Sequence, residues 1–146
     1  MTELEAFIDS WTEDPNGVKK AFLRLKSVLE GLNGATVNFV PRPPASYSLR
    51  AEPPRGRPVI TMVDVATLDG ERFLSVCFYA DTITDPEERG DLIPGGLLSK
   101  DGYCFDVDSD DDDAVGYVES RIFEAAAAFS LPEEGQGTDG IDDEDD

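Results

Sequence analysis

The dipeptide Asp69-Gly70 sits between two runs of alternating residues, "VITMVDVATL" and "ERFLSVCFYA". A two-residue Asp-Gly loop favours the type I′ turn, whose twist matches that of paired strands. The turn therefore predicts an antiparallel hairpin and fixes its register. Leu68 should face Glu71, Val65 should face Leu74, Val63 should face Val76 and Thr61 should face Phe78. The face of the last three pairs is apolar and should meet helices. The opposite face pairs Ala66 with Phe73, Asp64 with Ser75, Met62 with Cys77 and Ile60 with Tyr79. It carries a carboxylate, a hydroxyl, a thiol and a phenol. A half-solvated outer face is ordinary for an antiparallel sheet. The other reading is a ligand site, with Arg50 joining Asp64, Ser75 and Tyr79 from the neighbouring strand. A buried Asp64 there could act as acid or base in a small-molecule enzyme.

Helices flank the hairpin in sequence. Thr2-Glu3-Leu4-Glu5 has capping-box spacing, and Leu4, Phe7, Ile8 and Trp11 follow as one helical stripe. Asp14 is placed to cap a second helix opened by Pro15. Its stripe is Val18, Ala21, Phe22, Leu25, Val28, Leu29 and Leu32, ending at Asn33-Gly34. From Ala35 the period becomes two: "ATVNFV" and "SYSLRAE" are expected strands, separated by an extended break at "PRPP". The stretch 81–102 has little periodicity and suggests a long functional loop. Within it, Thr84 or Asp85 is placed to cap a one-turn helix opened by Pro86, and Pro94-Gly95-Gly96 suggests a turn. "GYCFDV" is a last strand, and Val115, Val118, Ile122, Ala125 or Ala126 and Phe129 form the stripe of a last helix. The order helices, strands, helix predicts segregated layers. The expected fold class is α+β: two N-terminal helices, an antiparallel sheet of four to five strands, and a C-terminal helix on the same sheet face. One domain over 1–131 and an acidic mobile tail over 132–146 are expected.

The run "DVDSDDDDAVGYVE" from Asp106 poses a second problem of function. Asp108, Asp110 and Asp112 fall at positions one, three and five of a calcium-loop spacing, and Glu119 falls at twelve. Position six is Asp113, where the loop's sharp turn needs Gly. The preceding segment also looks like a strand, where that loop needs a helix. Aspartates at the start of a helix cap its amides and meet the positive end of its dipole. The helix-start reading thus accounts for more of the run, with a weakly held divalent cation as the alternative.

Composition limits the chemistry. The chain has no histidine and no CxxC, so neither a nucleophile–imidazole pair nor a His-ligated zinc site can be built from it. Cys77 and Cys104 each lie in an apolar strand-like run. They are expected to be buried, reduced thiols, with a redox pair open to them if their strands are neighbours. The net charge is −20. The Asp106–Asp113 run and the tail from Glu133 hold 14 of the 32 acids, which leaves 18 against 12 bases for the rest. Without clustered bases, nucleic acid and anionic membranes are poor partners. A protein partner with a basic surface is the better expectation. No apolar run approaches the length of a membrane span, and the first residues lack a signal peptide's basic start, so a cytoplasmic location is expected. No cofactor is expected.

"FLRLKSVLEGLNGATVNFVPRPPASYSLRA" ends a helix in Leu-x-Gly, then gives a short strand and Ser46-Tyr47 in an alternating strand with Arg50. It resembles small uncharacterised bacterial α+β domains of the YdhG-like kind, some of which carry a frataxin-like iron-chaperone label. The resemblance implies iron handling through carboxylates. The first expectation is a non-catalytic binding or accessory domain. Divalent cation binding (iron or calcium) and the small-molecule enzyme stand beside it.

Overall fold

The computed structural model describes residues 1–129. The domain boundary expected at 131 and the expected tail lie outside the described residues. Helix α1 spans Glu3–Ser10 and closes its start with the expected capping box. The Thr2 amide donates to Glu5 Oε1 at 2.8 Å, and the Glu5 amide donates to Thr2 Oγ1 at 3.1 Å. Helix α2 spans Val18–Glu30, three residues later than Pro15 suggests. Pro15-Asn16 forms a turn first, closed by the Gly17 amide donating to the Asp14 carbonyl (3.3 Å), with Gly17 at φ 83°. The Asp14 carboxylate then reaches forward to the amides of Lys19 (2.9 Å) and Lys20 (3.3 Å). A side chain at position 17 would collide with Asp110, because a Cβ there would lie 2.4 Å from the Asp110 carboxyl carbon. That contact holds the start of α2 against the acidic run.

The strands are β1 (Thr36–Arg42), β2 (Ser46–Glu52), β3 (Thr61–Leu68), β4 (Glu71–Tyr79), β5 (Asp91–Leu97) and β6 (Lys100–Val107), followed by α3 (Asp112–Ala128). They form one antiparallel sheet in the order β1-β2-β3-β4-β6-β5. The register set by Asp69-Gly70 holds along β3 and β4 from Leu68↔Glu71 to Thr61↔Phe78. The expected Ile60–Tyr79 pair falls outside the ladder, because Ile60 leaves the strand and its amide donates to the Ala51 carbonyl instead (2.7 Å). β1 continues through Pro41 to Arg42 where a break was expected. It is an edge strand, and an edge tolerates a residue without an N–H.

Among the described residues the sheet has six strands rather than four or five, because part of the expected loop is β5. Its hairpin to β6 turns at Leu98-Ser99, with both residues at positive φ (49° and 74°). Pro94-Gly95-Gly96 lies inside β5, at an irregularity between Ile93 and Leu97. No one-turn helix follows Pro86; residues 86–87 form a simple turn. Residues of all three helices pack in one core with Leu49, Val63, Val65, Leu74, Val76, Phe78, Phe105 and Val107. In the register these strand residues share one face of the sheet. The C-terminal helix therefore packs on the sheet, on the side that α2 also covers. Among the described residues no helix is long and apolar enough to cross a membrane.

Candidate functional site

On the face that no described helix covers, here the helix-free face, the ladder sets Ser48, Asp64, Ser75 and Asp106 side by side across β2, β3, β4 and β6. Arg50 lies one inter-residue step along the same face, opposite Met62. Arg50 Nε donates to Ser48 Oγ at 3.1 Å. Ser48 is buried, and Asp64 Oδ1 is buried with no hydrogen-bond partner among the described residues. Burial pushes the Asp64 carboxyl above the ordinary carboxylate range, against the opposing pull of the Ser48 hydroxyl and the charges of Arg50 and Arg42. Arg50, Asp64 and Ser75 thus share one face of three adjacent strands.

Tyr79 does not join them. It stands four residues beyond Ser75, about 13 Å along the strand. It is packed with Val59 and Leu97, and the Arg57 guanidinium lies 4.6 Å above its ring. Its phenol is raised by burial.

The four residues of the calcium-loop spacing are not gathered either. Arg24 pairs with Asp112 at 2.7 Å and with Glu119 at 2.7 Å, so both carboxylates tie α3 to α2. Asp110 lies against Gly17, with its amide donating to the Asn16 carbonyl (3.3 Å). Asp108 lines a cleft beside the β3–β4 turn. The N-cap of α3 is Asp111, which accepts from the Ala114 amide at 2.9 Å, and Asp112 and Asp113 occupy the first turn. Among the described residues no three acidic or cysteine side chains are grouped as a metal ion would need.

The concave surface lies elsewhere, at the tip of the β3–β4 hairpin. A cleft of about 330 Å³ opens between that turn and the α1–α2 connection, lined by Trp11, Glu13, Asp14 and Gly70 among others. A second cleft, of about 280 Å³, is lined by Leu68, Phe73, Asp106 and Asp108. The two share Asn16, Glu71 and Arg72. The Arg72 guanidinium lies 4.8 Å from the Trp11 ring centre, 5.2 Å from Phe7 and 5.7 Å from Tyr47. Among the described residues it forms no ion pair. Burial and the nearby charges of Asp91 and Asp108 raise the Asp106 carboxyl.

Sequence reasoning passed over this place, although a signal was present. Arg72 shares the strand face of Leu74, Val76 and Phe78, so it is a cation on the helix-facing side of an otherwise apolar alternation.

The structure also joins the two cysteines, whose pairing was open only if their strands proved to be neighbours. Cys77 and Cys104 are opposed in the β4–β6 register, 4.1 Å apart at Cα, and form a disulfide. This corrects the expectation of two buried, reduced thiols. Both are half-buried on the helix-free face, because β4 and β6 are neighbours and these two positions point the same way. Comparison of the chain with protein-family models, with curated proteins and with solved structures found no match.

Proposed function

We propose that this chain is a non-catalytic binding domain that takes a basic, extended segment of a protein partner into the groove beside Arg72. The observation that carries this reading is the meeting of two clefts at Asn16, Glu71 and Arg72, over an aromatic floor. A concave site with a few convergent polar groups is the default place for a ligand. Arg72 contributes planar N–H donors suited to a partner's backbone carbonyls. Glu13, Glu71, Asp106 and Asp108 line the groove with negative charge. Burial and, after it, the charges of Asp91 and Asp108 raise Asp106, and a cationic side chain entering the groove relieves the like-charge part. The helix-free face supports an enzyme less well: neither cleft is lined by Arg50, Asp64, Ser75 or Tyr79.

A titration of the ¹⁵N-labelled full chain with a short Lys/Arg-rich peptide tests the reading, with an acidic peptide as control. The expected result is shifts at the Trp11 indole and the amides of residues 71–73, lost in Arg72→Ala and weakened by salt. A second arm uses the chain lacking residues 133–146, so that attraction to that acidic segment is separated from the groove. Shifts that vanish with the segment's removal, or that spare Trp11, would refute the groove as the site.

A further inference from the structure

We infer that Cys77 and Cys104 form a reversible dithiol–disulfide couple, open on the helix-free face to exchange with small-molecule thiols of the glutathione class. Three observations carry this beyond the mere presence of a disulfide. First, the couple does not need its covalent bond to stay assembled. The β4–β6 ladder pairs Leu74 with Val107, Val76 with Phe105 and Phe78 with Tyr103 around it. Leu74, Val76, Phe78, Phe105 and Val107 are all buried in the core on the opposite face. Reduction therefore leaves the two thiols opposed across the same ladder, and re-oxidation is effectively intramolecular.

Second, both cysteines are only half-buried, and among the described residues they lie on the sheet face away from the main core, where Cys77 packs at the border of the smaller cluster of Val59, Tyr79 and Leu97. A thiolate needs access to a sulfur to begin exchange. A bond sealed in the core would be inert; these two residues each keep part of their surface open to solvent. Cys77 Sγ has the Ser75 hydroxyl 3.6 Å away, so its surroundings are not wholly apolar. Third, these are the only two cysteines in the chain. A mixed disulfide formed at either one has a single internal thiol to resolve it, and no other pairing competes.

The exchange balances without a further reagent. A glutathione thiolate attacks one of the two sulfurs, and the Cys77–Cys104 bond breaks. The departing cysteine takes a proton, and a mixed disulfide is left on the other. A second glutathione thiolate attacks that mixed disulfide. The products are glutathione disulfide and the protein dithiol, which has gained two electrons and two protons. Oxidation is the reverse.

The test uses the full-length native chain, equilibrated without oxygen in glutathione and glutathione disulfide mixtures over a wide range of ratios. Samples are acid-quenched, alkylated with a maleimide in denaturant, and counted by intact mass. The expected result is a reversible curve between species with no adduct and species with two, with near-ultraviolet circular dichroism unchanged at both ends. Three outcomes would overturn the inference. The bond resists the most reducing mixture unless the protein is unfolded; the thiols stay free in the most oxidising mixture; or single-adduct species dominate throughout. Access is tested separately in Cys104→Ser and Cys77→Ser with glutathione disulfide. One bound glutathione in either variant supports a reachable sulfur, and none in both variants refutes it.

Discussion

Asp64 lies in the middle of β3 on the helix-free face, and Asp85 lies in the segment that crosses from a 3-10 turn at Ala80–Thr82 to β5. Both are half-buried. Asp85 accepts hydrogen bonds from the Tyr117 hydroxyl, the Arg89 amide (3.0 Å) and the Gly90 amide (2.9 Å). Burial alone would raise its carboxyl, but the Tyr117 hydroxyl, those two amides and the charge of Arg121 outweigh it and hold the carboxyl below the ordinary range. Asp64 is raised, and one of its oxygens has no partner among the described residues. The difference comes from the backbone. In a strand the amides are committed to the ladder, so a strand carboxylate must find side-chain donors. Ser48 is shared with Arg50, and Ser75 faces a sulfur. A turn leaves amides free, and a carboxylate there can gather two at once. The same residue type therefore fastens one region and burdens the other.

The largest effect should come from removing the fastening. Asp85→Ala strips three donors of their acceptor and loosens the seam between the 83–90 segment and α3. It should cost about 2 kcal/mol at neutral pH, after allowing for solvent screening of a partly exposed group. A depressed folded value means that this stability is present above the unfolded carboxylate value of about 4. It is lost as pH falls through the folded value. Urea denaturation at pH 7 and at pH 3 checks both points: the gap between wild type and variant should narrow at pH 3. A gap that widens in acid would break the assignment of donors to Asp85. Tyr117→Phe keeps the ring against Phe105 but removes the hydroxyl that bonds Asp85 and accepts the Glu87 amide (3.1 Å). It should cost about 1.5 kcal/mol and let the Asp85 carboxyl rise towards its ordinary range.

How far each region could be foreseen follows from the same chemistry. The β3–β4 turn places Asp69 and Gly70 at φ 53° and 81°; the β5–β6 turn places Leu98 and Ser99 at 49° and 74°. The two backbones are nearly alike. Asp and Gly adopt positive φ at little cost, so the first turn is visible in its residues. Leu and Ser do not, so the second is set by the pairing of β5 with β6 and leaves no local mark. β5 was hidden for a further reason: all its residues but Leu97 are exposed, so no apolar alternation is required of it. The helical stripes, the capping box and the hairpin register were legible because burial imposes a period. Asp64 beside Ser75 followed from that register. The Tyr117–Asp85 bond joins a helix to a turn 32 residues away, and no period encodes it. Arg72 was legible in principle, as a charge at an inward strand position, but only once Phe7 of α1 and Trp11 just after it are known to lie beside it.

The burdened region should respond with the opposite sign. A raised folded value means that, between the unfolded and folded values of Asp64, the folded chain holds more protons. Its contribution therefore falls as pH rises through that window, and the penalty is complete above it. Asp64→Asn removes the charge and keeps the shape. It should stabilise the protein by about 1 kcal/mol at pH 7, and the gain should disappear once acid protonates Asp64 in the wild type. Paired denaturation curves at pH 7 and pH 4 measure this. A loss of stability at pH 7 would mean that Arg50 and Arg42 outweigh burial, and the contrast with Asp85 would collapse.

The smallest effect isolates the Ser48 hydroxyl, which draws the Asp64 carboxyl down. Ser48 is buried and accepts from Arg50 Nε. Ser48→Ala deletes that hydroxyl without opening space for a new partner. Stability should change little, by about 0.5 kcal/mol at neutral pH, because Arg50 can turn to water and Asp64 loses only the pull of a neighbouring hydroxyl. The informative readout is the carboxyl carbon of Asp64, followed by nuclear magnetic resonance across the acid range. Its midpoint should move further up in Ser48→Ala. In Ser48→Thr, which restores a hydroxyl on a β-branched side chain suited to a strand, the midpoint should return towards the wild-type value. An unmoved midpoint in the alanine variant would mean that Ser48 serves Arg50 alone. The two aspartates would then differ in burial and charge, and the count of donors would no longer explain the sign.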